Sequence, residues 1–306
     1  MKRFIRVESS AGGGKTTEIV RRYIELIKKG IKFDRILAIT FTNKASEEMK
    51  RRILKNLKEL AFKDDFIFKV IDGKDGIIDN FSDFSVKTID AFLFSLLKSC
   101  ALDLNIPPEP EIEEKEKEKI RMVIDEVLVQ GENNLYLKSL IVNFLNFISN
   151  ISTSLNPFEN LIGYFTSFLE KERILGDNYK LFAGNLDSFF LLLKKNLEEK
   201  KKKEGFIFLS DISPLVFNYV ENSDVPYLFF KLGEKFYHFL VDEFQDTSLI
   251  QWKSLKPLVE NALSGIDPEG YKGTFFYVGD PKQSIYRWRG TRWELFDDVI
   301  KEFEGK

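Results

Sequence analysis

Short apolar runs alternate with helical periodicity over the first hundred residues. RFIRVE (3–8), RILAITF (35–41) and FSVKT (84–88) are too short for helices and rich in β-branched and aromatic residues, and each is followed by apolar positions at helical spacing. That βαβ rhythm predicts a parallel sheet with helices on both faces. The same grammar returns late, in YHFLVD (237–242) and GTFFYVGD (273–280). Between these halves, 103–203 holds only helical segments bounded by Pro, Asn and Gly, with PPEPEIEEKEKEKI (107–120) leading in and LEEKKKKEG (197–205) leading out. The pattern therefore predicts one α/β domain assembled from 1–102 and 204–306 and split by an all-helical insertion, 103–203. The charge runs read as solvated helix faces. The Phe- and Leu-rich helices FLNFISNIS and LIGYFTSFLEKE read as the insertion's own core, with a partner surface as the alternative.

Composition narrows the picture in three ways. The chain has 306 residues, 43% hydrophobic and 31% charged with formal net charge −2, which predicts a soluble globular protein with room for a real core. Low net charge argues against a polycation that coats nucleic acid and leaves room for a local basic groove. A single cysteine, Cys100, and a single histidine, His238, exclude an internal disulfide and a Cys/His metal site, so a carboxylate-held Mg²⁺ stays open. After MKRFIRVESS no signal-peptide core follows and no run approaches a membrane span, so the expectation is a cytoplasmic protein without a membrane partner.

Two stretches carry chemistry. VESSAGGGKTTEIV (7–20) runs from the first strand into a helix and ends its glycine run in Gly14-Lys15-Thr16. Consecutive glycines let backbone N–H groups curl around an anion, and a helix N-terminus adds partial positive charge there. Ser10, Ala11, Gly12, Gly13, Gly14, Lys15, Thr16 and Thr17 are the expected phosphate cradle, with Lys15 reaching the β/γ-phosphates and the Thr16 hydroxyl on Mg²⁺. The bland alternative is a Gly-rich strand-to-helix turn. FLVDEFQD (239–246) is an apolar strand ending in adjacent carboxylates. Asp242 is placed to hold the metal and Glu243 to orient and deprotonate water. The alternative there is that Asp242, Glu243 and Asp246 merely start and cap the following helix. Together the two stretches predict binding of Mg-ATP.

In order along the chain, ESSAGGGKT (8–16), LAITFTNKASEEMKRRI (37–53), VKTIDAFLFSLL (86–97), FLVDEFQDTSLIQ (239–251) and YVGDPKQSIYRWRG (277–290) resemble the motifs of the UvrD/Rep superfamily 1 DNA helicases. TIDAF is similar to the RecB and AddA branch, since UvrD-type members usually carry His at the position of Asp90. The resemblance implies a RecA-like P-loop NTPase domain, ATP and Mg²⁺ as cofactors, and single-stranded DNA as partner, in repair or recombination. It implies that Phe41, Thr42, Asn43 and Lys44 contact the DNA and that Thr88 meets a DNA phosphate. It implies that Gln283 senses the γ-phosphate, completing a catalytic set with Lys15 and Glu243, and that Trp288, with Tyr286 nearby, stacks on a base. Arg287 and Arg289 would connect that base to the nucleotide side, with Arg289 among the nucleotide contacts. Read as residues alone, Asp280–Gln283 is also a capping box, Thr88 a strand-end cap, and Lys50, Arg51, Arg52 and Lys55 a solvated helix face.

The sequence departs from the family in Ser9, where a small Gly or Ala is usual, and in Thr17, where UvrD-type members often place an adenine-holding Arg. The upstream glutamine motif that reads adenine has no room before the first strand. The family motor needs a second RecA-like domain, which supplies arginine fingers worth about 10³–10⁵ in rate. The expectation is half a motor: ATP binding with slow hydrolysis, and a second chain or domain, a nuclease subunit among the candidates, supplying the rest. The alternatives are a non-motor ATP- and DNA-binding subunit of a split helicase-nuclease and a truncated, inactive remnant.

Overall fold

The computed structural model describes residues 3–9, 14–151, 156–175, 185–284, 291 and 293–303. By its contacts the chain forms two compact units, 1–100 with 215–306, and 101–214. The first unit opens with β1 (Phe4–Glu8), α1 (Lys15–Lys28), β2 (Ile36–Thr40), α2 (Asn43–Ala61), α3 (Asp65–Asp72), β3 (Val86–Thr88) and α4 (Ile89–Ser99). The second carries β4 (Glu111–Glu113), α5 (Glu116–Gly131), α6 (Leu135–Ile151), α7 (Pro157–Leu175), α8 (Asn185–Glu204) and β5 (Phe206–Phe208). The helix α9 (Leu209–Glu221) leads back to α10 (Val225–Leu232), β6 (His238–Val241), α11 (Leu249–Ser264), β7 (Thr274–Gly279) and α12 (Leu295–Phe303).

The five strands that the apolar runs predict pair in the order β1-β7-β6-β2-β3, every neighbour parallel. A parallel sheet is covered on both faces, so its strands read as unbroken apolar runs instead of alternating ones. β2, β6 and β7 are buried at every position. Helices α1 and α2 pack their apolar stripes on one face: Ile19, Tyr23 and Ile27 from the first, Met49, Ile53 and Leu57 from the second, each set at i, i+4 spacing. Burying each of those α2 side chains contributes about 1.5–3 kcal/mol, which holds α2 down without any Gly or Pro to break it. Thr42 starts α2 by accepting from the Ala45 N–H at 3.1 Å. An aromatic cluster of Phe244, Trp252, Phe275, Tyr277 and Phe296 ties β6 and β7 to α11 and α12.

The second unit has its own core, built by Ile120, Val123, Ile124 and Val127 of α5 with Phe144, Phe165, Phe168, Phe190 and Leu193. Two details differ from the sequence expectation. The stretch 103–203 is not free of strand, because Glu111–Glu113 pairs in parallel with Phe206–Phe208. Phe206 and Phe208 also sit in this core, so the change of unit falls at 214/215 instead of near 203. Asp211, which reads as part of the returning domain, binds Arg173 and Lys201 of the second unit, both at 2.8 Å. Among the described residues, no helix is long and apolar enough to cross a membrane.

Candidate nucleotide site

The carboxyl ends of β1, β6 and β7 lie side by side, and a parallel α/β sheet gathers ligands at that edge. Gly14 leads into α1 at φ 76°, ψ 28°, a left-handed conformation that an L side chain adopts only at a cost. It puts Lys15 at the first helical position, and Gly14 at the N-cap offers no side chain to the first-turn N–H groups, which suits an anion there. Lys15 is only 8% exposed, and its Nζ donates to Glu243 Oε2 at 2.7 Å and to Gln283 Oε1 at 3.2 Å. Thr16 Oγ1 donates to Asp242 Oδ2 at 2.9 Å. Residues from three distant segments thus meet around one ammonium and one hydroxyl.

Asp242 follows β6 and is buried, its Oδ1 accepting the Glu243 N–H at 3.0 Å. Burial pushes its carboxyl up to about 6, with the Glu243 charge adding to the rise and the Thr16 hydroxyl and Lys15 opposing it. Asp246 is raised to about 6 as well, by burial and then by the Glu243 charge. Glu243 itself takes φ 50°, ψ 44°, a left-handed conformation uncommon for a residue with a side chain. That turn sends the chain away from the strand and leaves the carboxylate facing Lys15. Gln245 is buried and donates from Nε2 to Glu243 Oε2 at 2.7 Å, while its Oε1 accepts the Asp280 N–H at 3.0 Å. A Cβ on Gly279 would stand 2.3 Å from that Oε1, so the glycine leaves the space the Gln245 carboxamide occupies.

Two of the alternatives concern capping, and the structure shows which residues cap. Helix α11 is capped by Ser248, whose hydroxyl accepts the Gln251 N–H while Gln251 returns the bond, a complete capping box. Asp242 and Glu243 are thereby left to the strand end. Asp280 does cap the short turn Pro281–Gln283, accepting from the Lys282 N–H and from Gln283 Nε2. The Asp280 half of the expected cap is thus realised, but the capping box is not, because the Asp280 N–H goes to Gln245 and not to Gln283, whose Oε1 accepts from Lys15.

A cleft of about 290 Å³ is lined by Thr40, Phe41, Thr42, Ala45, Asp242, Glu243, Gln245, Asp246 and Gln283. Next to it a cleft of about 510 Å³ is lined by Thr16, Thr42, Lys44, Ala45, Glu47, Glu48, Arg51 and Arg52. The structure thus brings Phe41, Thr42 and Lys44 beside Lys15, Thr16, Asp242, Glu243 and Gln283, with Asn43 exposed between them at the start of α2. Thr17 is exposed on the first turn of α1. Thr88 lies elsewhere, buried at the end of the edge strand β3, and its hydroxyl accepts the Ala91 N–H, so the capping alternative is realised. The basic run on α2 is partly neutralised, since Arg51 and Arg52 both bind Glu48. Ser10, Ala11, Gly12, Gly13, Tyr286, Arg287, Trp288 and Arg289 lie outside the described residues. Gln245 and Gly279 are the pair that sequence reading passed over. The signal available was the rarity of glutamine: four in the chain, three of them at 245, 251 and 283.

A parallel sheet with a lysine-led helix after its first strand and a carboxylate pair after β6, one strand removed from β1 across β7, is the arrangement of a RecA-like fold. A family model for the UvrD/REP helicase N-terminal domain matches residues 1–304, and the chain belongs to that family. It is 32% identical over 299 residues to a probable DNA helicase II homolog of Mycoplasma genitalium, covering 93% of this chain and 34% of that protein. It is 25% identical to DNA helicase II of Haemophilus influenzae, covering 98% of this chain and 35% of that one. A shorter match, 30% identity over 172 residues, covers 56% of this chain and 13% of the exonuclease/helicase subunit RexA of Lactococcus lactis. The chain spans about a third of the length of the helicase II relatives it matches.

Proposed function

We propose that these residues form the ATP-binding domain of a UvrD/Rep-type DNA helicase or translocase acting on single-stranded DNA. The observation that carries the reading is the meeting of Lys15, Thr16, Asp242, Glu243 and Gln283 at one sheet edge, with Phe41 and Thr42 on the wall of the same cleft. ATP phosphates sit at the start of α1, and Lys15 turns to them from Glu243 and Gln283. The donor set suits Mg²⁺: the buried Asp242 carboxylate and the Thr16 hydroxyl, 2.9 Å apart, are hard oxygen ligands of the kind that ion takes. Thr16 and Asp242 hold that ion, which when bound neutralises charge building up on the phosphates. Glu243 orients a water and takes its proton, and Gln283 holds the γ-phosphate. Phe41, Thr42, Asn43 and Lys44 present π-face, hydroxyl, amide and ammonium to a single strand, which suits binding without sequence preference. Thr88 meets a DNA phosphate in this reading through its hydroxyl, which accepts the Ala91 N–H and keeps its own proton to donate. Asp90 and the match to an exonuclease/helicase subunit favour the RecB/AddA branch, and with it a nuclease-associated partner. A cytoplasmic setting in repair or recombination goes with that reading.

The test is Mg-ATP binding and single-strand-stimulated hydrolysis by residues 1–306, alone and with a protein supplying a second RecA-like domain. Binding should weaken by at least about 10-fold in Lys15→Ala, and the second domain should raise hydrolysis by about 10³–10⁵. Absence of Mg-ATP binding, or binding indifferent to Lys15→Ala, overturns the reading.

A further inference from the structure

Five residues from three segments close a ring beside the candidate site. Lys15 Nζ donates to Glu243 Oε2, Gln245 Nε2 donates to the same oxygen, and Gln245 Oε1 accepts the Asp280 N–H. The Asp280 carboxylate accepts from Gln283 Nε2, and Gln283 Oε1 accepts from Lys15. We propose that Gln245 is a positioning residue: its carboxamide holds Glu243 toward the nucleotide phosphates and ties that carboxylate to the Asp280–Gln283 turn. This rests on the function proposed above.

Three features support the assignment. First, the amide can point only one way. Its oxygen faces a backbone donor and its nitrogen a carboxylate, and a flip would set donor on donor and acceptor on acceptor. Second, the molecule makes room for it. Gln245 is 2% exposed, Gly279 leaves the space a Cβ would fill, and the main-chain carbonyl of Gln245 accepts the Ser284 hydroxyl at 3.2 Å. Third, Glu243 stands in a left-handed turn, outside any strand or α-helix that would fix its direction. Of its two side-chain donors, Lys15 is the one phosphate charge draws away, so the Gln245 bond remains to aim the carboxylate. Gln245 touches neither nucleotide nor water in this scheme and acts through Glu243.

The role predicts a split between binding and rate. Gln245→Met keeps the side chain's length and removes both bonds; Gln245→Glu keeps an acceptor for the Asp280 N–H and removes the donor to Glu243. Mg-ATP affinity and single-turnover hydrolysis are measured on the full chain, for each variant alone and combined with Glu243→Gln. In Gln245→Met the dissociation constant should stay within about 3-fold while the rate falls about 10–100-fold. In the Glu243→Gln background the same change should leave the residual rate unaltered, because its target is gone. If Gln245→Met fails to fold, Gln245→Glu carries the test, with the same rate loss expected and the same silence beside Glu243→Gln. A wild-type rate in either folded variant, or an equal further loss in the Glu243→Gln background, overturns the assignment. Equal hydrolysis by wild type and Glu243→Gln removes Glu243 from the reaction and overturns the proposed function with it.

Discussion

At Asp242, burial and chemistry make opposing demands. Loss of water raises the carboxyl to about 6, yet the Mg²⁺-holding role proposed for it needs the ionised form. Mg-ATP affinity should therefore fall as pH is lowered through about 6, a step that ATP binding measured in EDTA should lack. Affinity unchanged between about pH 8 and about pH 5 would place the metal on other groups. Gly279 makes a sharper steric prediction. Gly279→Ala sets a methyl 2.3 Å from Gln245 Oε1 and 2.8 Å from Phe296 Cε2. It should destabilise the fold by about 1–3 kcal/mol, read as a lower melting temperature. At this scale the sequence was half legible. Lys15, Asp242 and Glu243 announce themselves because their chemistry is local to a loop or a strand end. Gln245 does not, because one of its two side-chain partners, the Asp280 N–H, arrives from the end of β7, 35 residues further along the chain.

Strand β6 carries a second buried titratable group at its other end. His238 is fully buried, with Nδ1 2.9 Å from Thr274 Oγ1, and burial followed by the Arg22 charge lowers its pKa to about 4. A depressed histidine binds fewer protons folded than unfolded. Its contribution is present above the unfolded value near 6.5 and is lost as pH falls through about 4. Asp242 has the opposite sign: its raised carboxyl holds more protons in the folded state, so its contribution grows as pH falls through about 6. Asp242→Asn should therefore steepen acid destabilisation relative to wild type, and His238→Leu should flatten it, both read by thermal melts across the acid range. Melting curves with identical pH dependence in all three would show that neither end of β6 titrates as described. Helix α11 adds a simpler expectation: Ser248→Ala removes the cap and should cost about 1 kcal/mol. Elements with long apolar runs were legible from sequence. β4 was not, because Glu-Ile-Glu has no burial pattern to read and is a strand only through its pairing with Phe206–Phe208.

Over the whole molecule, two cores serve two units, one around Ile19, Ile53 and Phe276 and the other around Phe165 and Phe190. Phe190→Ala should remove about 3–5 kcal/mol of packing. Hydrogen exchange should show protection lost within 101–214 ahead of the sheet unit; simultaneous loss in both would mean a single cooperative fold. The split itself was legible, since strand runs stop and resume, whereas its second boundary was not, because FIF reads equally well as a strand of either unit. The register of the sheet has a further consequence, for synthesis. Phe4 of β1 pairs with Phe275, and β1 borders β7 at the edge of the sheet. At about 5–20 residues per second, a ribosome needs roughly 15–55 s between making the two strands. During that wait the second unit can fold, while Lys15 has been made but has neither Glu243 nor Gln283 to meet. The strand that finally docks against β1 also delivers Gly279 and Asp280, so closing the sheet and assembling the site are a single late event in the life of the nascent chain.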